Sequence, residues 1–156
     1  MLRSIGDFIS EITGGGRDPV SFNESDYRLA AAALLVHVAT TDNNFDENER
    51  AKLRAVLAER FDLGPAEADD LIESAVAADR DAVDLYQFTS TLNRSCDEDG
   101  RRRVVEMMFE VAYADGQLSE FEDNIVWRAA DLLHVPSRDR VNIRRQVRDE
   151  AAGEEN

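Results

Sequence analysis

The chain has 156 residues, 43% of them hydrophobic and 33% charged, which fits a folded domain with a core of its own and excludes wholesale disorder. Its formal net charge of −15 repels nucleic-acid phosphates and anionic lipid and concentrates cations, so no nucleic-acid partner is expected. No apolar run approaches the roughly 18 residues of a membrane span, Met1-Leu2-Arg3 does not open a secretion signal, and a single cysteine, Cys96, excludes a disulfide framework; a cytoplasmic address is expected.

The first element is read over residues 1–16. Leu2, Ile5, Phe8, Ile9 and Ile12 form one apolar stripe at helical spacing, and Gly14-Gly15-Gly16 ends it as a joint. Its polar face (Arg3, Ser4, Asp7, Glu11) lacks the basic excess of a helix lying on a membrane, so docking on protein is the preferred reading. The main domain is placed at residues 17–150, with an acidic tail at 151–156 whose end, Glu154-Glu155-Asn156, is expected to fray.

Within that domain an alanine-rich helix runs from Asp26 to Thr41, with Leu29, Leu34, Leu35 and Val38 apolar. A second runs from Glu47 to Phe61 and turns Leu53, Val56 and Leu57 inward. Gly64-Pro65 breaks the chain and starts a third, to about Ala78, because proline fits a helix's first turn. Val83, Leu85, Phe88 and Leu92 mark a fourth. Val104, Val105, Met108, Phe109 and Ala112 carry a fifth, and a sixth spans Glu120 to His134 with Ile125, Val126, Ala129, Leu132 and Leu133 apolar. Pro136-Ser137 precedes a last, arginine-rich helix with Val141, Ile143 and Val147. No segment alternates with period two, so the expected fold is all-α, with seven to eight short helices in two pseudo-symmetric halves.

The halves are read from a repeat. Val38 to Glu49 recurs as Val111 to Glu122, since 115 − 42 and 122 − 49 both give 73. Each copy is a helix end, an acidic turn and a helix start. Asp46 and Ser119 stand at N-cap positions with Glu49 and Glu122 three residues on, the spacing of a capping box. Capping and the helix dipole account for these residues without a ligand. They do not account for Asp42 and Asp115, which end the preceding helices where the dipole disfavours negative charge.

Two explanations remain open for that pair. Asp115-Gly116 is a common turn pair, with Asn43 in the glycine's place in the first copy. Alternatively, Asp42, Glu49, Asp115 and Glu122 are ligands of a divalent cation, and oxygen-only ligation suits Ca²⁺, Mg²⁺ or Mn²⁺. An EF-hand is excluded, because Glu47 replaces the required glycine and Leu53 and Val126 occupy the twelfth positions.

Nothing else in the chain offers a chemistry of its own. His37 and His134 have no ligand pattern around them, no nucleophile is placed beside a base, and no enzymatic activity is expected. Arg101-Arg102-Arg103 and Arg138, Arg140, Arg144, Arg145 and Arg148 form basic clusters, read chiefly as partners for the protein's own carboxylates.

Leu34-Leu35-Val36 through Thr41-Asp42, Asp46-Glu47-Asn48-Glu49, and Val111-Ala112-Tyr113-Ala114-Asp115-Gly116 with Ser119 and Glu122 resemble the TerB family of small helical proteins named for tellurite resistance. The resemblance covers about Tyr27 to Val135, and Asp84-Leu85-Tyr86-Gln87-Phe88-Thr89 resembles its stand-alone branch. It implies two pseudo-symmetric helical halves and an acidic face that binds divalent metal through Asp42, Glu49, Asp115 and Glu122. It also implies protein partners in a stress-response, membrane-associated complex at the inner face of the membrane; a homo-oligomer is compatible with it. Thr41-Asp42-Asn43 departs from the family's Ala-Asp-Gly. Direct tellurite binding is not expected, since clustered carboxylates repel an oxyanion. The alternative is a scaffold whose acidic turns are only helix caps.

Overall fold

The computed structural model describes residues 26–40, 46–113 and 118–155, with side chains described as far as Ala151. Among them are seven helices and no strand: α1 (Tyr27–Ala39), α2 (Glu47–Phe61), α3 (Pro65–Asp81), α4 (Tyr86–Ser95), α5 (Glu98–Ala112), α6 (Glu120–Leu132) and α7 (Ser137–Glu155). The N-terminal stripe, Asp42, Asp115 and Asn156 lie outside the described residues.

The middle of the molecule is α1. Leu29 to Val36, Val38 and Ala39 are all buried, so this helix is apolar around most of its circumference rather than along one stripe. Ala30 to Ala33 carry little side chain and let neighbouring helices approach closely. The helix packs most extensively on α3, then α4 and α5, and touches α2 and α6. Leu34 and Leu35 are fully buried, each contributing about 1.5–3 kcal/mol by leaving water. Asp26 caps its start: Oδ1 accepts the Arg28 N–H at 2.8 Å, and the carboxylate also takes the buried Arg28 guanidinium.

The repeat extends through three helices in each half. Ends of α1 and α5 and starts of α2 and α6 correspond at one offset, since 112 − 39 and 120 − 47 both give 73. Both second helices then end on a left-handed residue, Asp62 at φ 54° and His134 at φ 60°. The next N–H reaches back five residues, Leu63 to Ala58 at 3.0 Å and Val135 to Ala130 at 2.9 Å. This is the Schellman closure, with Leu63 and Val135 tucked into the core. Here 134 − 62 and 137 − 65 both give 72, so the second copy is one residue shorter between the start of its second helix and this closure. The third helices pack on the first in both halves, α3 on α1 and α7 on α5, and α4 joins the halves.

Several boundaries differ from the sequence reading. Helix α3 continues to Asp81 instead of stopping near Ala78. Val83 does not belong to the stripe of α4: it is 98% exposed, and the helix starts only at Tyr86, whose N–H donates to Asp84 Oδ1 at 2.8 Å. Helix α6 stops at Leu132 because His134 adopts positive φ. The last helix runs through Glu155, over most of the segment assigned to an acidic tail, and its Val141 is exposed while Val147 is buried.

Candidate functional site

The two helix junctions are built alike as far as the described residues reach. At the first, the Thr40 N–H donates to Val36 O at 2.9 Å and closes α1. Asp46 then opens α2, its Oδ1 accepting the Glu49 N–H at 2.9 Å. At the second, the Tyr113 N–H donates to Phe109 O at 2.9 Å and closes α5. Ser119 opens α6 with a reciprocal box: its Oγ accepts the Glu122 N–H at 3.1 Å, and Glu122 Oε1 accepts the Ser119 N–H at 3.2 Å. Each cap satisfies an N–H that the helix start would otherwise leave without a partner.

Of the four sequence-predicted ligands, Glu49 and Glu122 are placed equivalently, both half-buried at the third position of their helices. Asp42 and Asp115 lie outside the described residues. Helices α1 and α5 pack on each other; α2 packs on both, and α6 does likewise. Both acidic helix starts therefore belong to helices that lean on the same central pair. Among the described residues, no group of three or more His, Cys, Asp or Glu side chains is arranged to hold a metal ion.

At the opposite end of α2 from the first junction, a charged group emerges that the sequence reading did not single out. Arg60 on α2 reaches across to Glu106 and Glu110 on α5 and pins the two helices together. Glu106 and Glu110 are four apart and so share a face, the one signal that pointed to a shared cation. Burial pushes the Glu110 carboxyl above its ordinary pKa, against the opposing pull of Arg60.

The histidine and arginine expectations resolve into local roles. His37 Nδ1 lies 2.8 Å from Asp79 Oδ1, tying α1 to α3. Arg101 donates to the Leu133 and Cys96 carbonyls, and Arg102 pairs with Asp99 and Asp139. Arg140 pairs with Asp131 and Arg144 donates to the Tyr113 hydroxyl. Four of the clustered arginines thus find partners within the fold. Burial pushes the Cys96 thiol upward, away from the low pKa of a reactive thiolate. No described helix is long and apolar enough to cross a membrane.

A family model described as tellurite resistance protein TerB matches residues 28–145, more than half of the chain. No curated protein and no solved structure matches it.

Proposed function

This chain belongs to the TerB family, and on that premise we propose that it is an acidic helical module that binds a divalent cation and serves as a sensor or adaptor in a stress-response complex of the tellurite-resistance type. The observation that carries the reading is the matched construction of the two junctions. Both helix starts are capped in register, and the capping bonds involve Asp46, Glu49, Ser119 and Glu122. Asp42 and Asp115 recur 73 residues apart on the other side of each turn, where capping gives them no work.

A cation shared between the end of one helix and the start of the next would neutralise like charges in a chain carrying −15 and fix the turn. Asp42 with Glu49 and Asp115 with Glu122 would supply the oxygens, and Ca²⁺, Mg²⁺ or Mn²⁺ is the fitting class. A fixed turn gives protein partners a defined acidic surface, and loss of the ion returns the like charges to mutual repulsion. The role in tellurite resistance is indirect, since the same surface repels an oxyanion. The proposed setting is cytoplasmic, in contact with a protein complex at the inner face of the membrane.

A second reading is favoured by the cap hydrogen bonds themselves: the acidic turns are helix starts and nothing more, on a scaffold for other proteins. Calorimetric titration of metal-stripped protein with Ca²⁺, Mg²⁺ and Mn²⁺ separates the two. Saturable binding that disappears in Asp42→Asn/Asp115→Asn supports the cation module. Absence of binding to a folded chain overturns it and leaves the scaffold.

A further inference from the structure

Where the start of α1, the end of α2 and the start of α5 meet lies a cleft of about 450 Å³, within the size range of small-molecule sites. Tyr27, Phe61, Val104 and Met107 form its apolar wall, with Cys96 beside them. The Tyr27 and Phe61 rings stand edge to face, 5.8 Å apart and at 89°. Val104 and Met107 belong to the buried core, which fixes that side of the wall. Arg103 lies on the same face of α5 as Gly100, Val104 and Met107, the face that lines the cleft. Its side chain is exposed and makes no hydrogen bond or ion pair among the described residues. Charged groups around it are committed elsewhere: Arg60 to Glu106 and Glu110, Arg102 to Glu98 and Asp99, and Asp97 to the Gly100 N–H at 2.8 Å. The cleft also stands at the opposite end of α1, α2 and α5 from the two capped junctions. Helices of 13 to 15 residues put roughly 20 Å between them. That is more than twice the screening length of about 8 Å at physiological salt, so the junction carboxylates do little to repel an anion here.

We infer that this cleft binds a small aromatic carboxylic acid, its ring system against Tyr27, Phe61 and Met107 and its carboxylate on the Arg103 guanidinium. The wall selects an aromatic body: two rings already packed edge to face offer a third ring the same geometry, and a thioether sulfur favours a ring edge. Arg103 selects the acid, because a planar guanidinium fork matches a carboxylate with two parallel hydrogen bonds. An uncommitted arginine beside an apolar wall is the pairing of one fixed charge with one apolar surface that such an amphipathic anion requires. The site is separate from the acidic turns, and neither reading depends on the other.

The test titrates the full chain with 2-naphthoate and follows backbone amide shifts. Saturable shifts centred on Cys96, Gly100, Arg103 and Met107, with a Kd below about 1 mM, are expected. Cys96 is the only cysteine, so its alkylation by an uncharged maleimide gives a second readout at the cleft, and bound naphthoate should slow it. Arg103→Ala should weaken binding about tenfold or more and leave the rest of the spectrum in place, since that side chain is exposed. The uncharged 2-naphthamide and the non-aromatic decanoate should both bind more weakly than naphthoate. Equal binding of the amide, or an Arg103→Ala variant of unchanged affinity, would show that no carboxylate is recognised and would overturn the proposal. Equal binding of decanoate would overturn the aromatic class, and shifts confined to another part of the chain, or none, would overturn the site.

Discussion

Asp46 and Ser119, 73 residues apart (119 − 46), do the same work in the two halves: each accepts the N–H three residues ahead, at 2.9 and 3.1 Å. The equivalence holds although one side chain is a carboxylate and the other a hydroxyl. What has been kept through the duplication at these positions is the capping geometry, and charge at the cap itself has not. The charge kept in both copies sits at Asp42 and Asp115, at Glu47 and Glu120, and at Glu49 and Glu122.

Capping and cation binding therefore respond to different substitutions. Asp46→Ala and Ser119→Ala should each cost about 1 kcal/mol of stability, the usual cost of losing an N-cap. Denaturant unfolding checks this, and the loss should be equal with and without divalent ions. A cap variant whose deficit appears only in the presence of metal would show that the cap residue is itself a ligand.

Arg140 should prove to be the side chain that locks α7 to α6. It is 4% exposed, lies 4.1 Å from the centre of the Trp127 ring, and donates to the Trp127 carbonyl at 2.8 Å. Its ion pair with Asp131 contributes little because that carboxylate is 70% exposed. Arg140→Ala should destabilise by about 1.5–3 kcal/mol through the buried, charge-assisted hydrogen bond and the lost stacking. Trp127 is the only tryptophan, so its fluorescence reports the change directly. An unchanged denaturation midpoint would contradict this role.

The clamp of Arg60 with Glu106 and Glu110 predicts a pH dependence of definite sign. Because burial raises the Glu110 pKa in the fold, the native state binds that proton more tightly than the unfolded chain does. Stability from this group therefore rises as pH falls from the raised folded value toward the ordinary carboxylate value, and falls as pH rises through that window. Glu110→Gln removes the titration. Wild type should gain stability relative to the variant between neutral pH and about pH 4.5. A difference that stays constant over that range, measured by thermal melts, would refute it.

The central apolar side chains should carry most of the stability. Phe109 is fully buried on α5 and belongs to the continuous core, so Phe109→Ala should cost about 3–5 kcal/mol. Calorimetric unfolding checks it, and a loss under about 1 kcal/mol would mean that the packing around α5 is wrong.

How far the sequence alone reaches can be read from the same elements. Helix existence was legible because Leu53, Val56 and Leu57, or Val104, Val105 and Met108, repeat at helical spacing and are buried as that spacing requires. Helix ends were less legible. His134 continues the polar-apolar pattern of α6 and only its left-handed backbone ends the helix, in a position where glycine is the usual signal. Val83 misled for the opposite reason: hydrophobicity alone does not reveal that a side chain is left in water. At the candidate site, the capping geometry of Ser119 and Glu122 was readable from spacing, whereas the Arg60 clamp joins residues 46 and 50 apart and depends on tertiary packing.

The most direct test of the cation module is thermal unfolding of metal-stripped protein, with and without Ca²⁺, Mg²⁺ or Mn²⁺, beside Asp42→Asn/Asp115→Asn. A ligand that binds only the folded chain adds about 2.7 kcal/mol at a hundred times its Kd. Wild type should gain a saturable rise in Tm of that origin, and the variant should be folded and show none. Identical melting of the two proteins at every ion concentration would contradict the account.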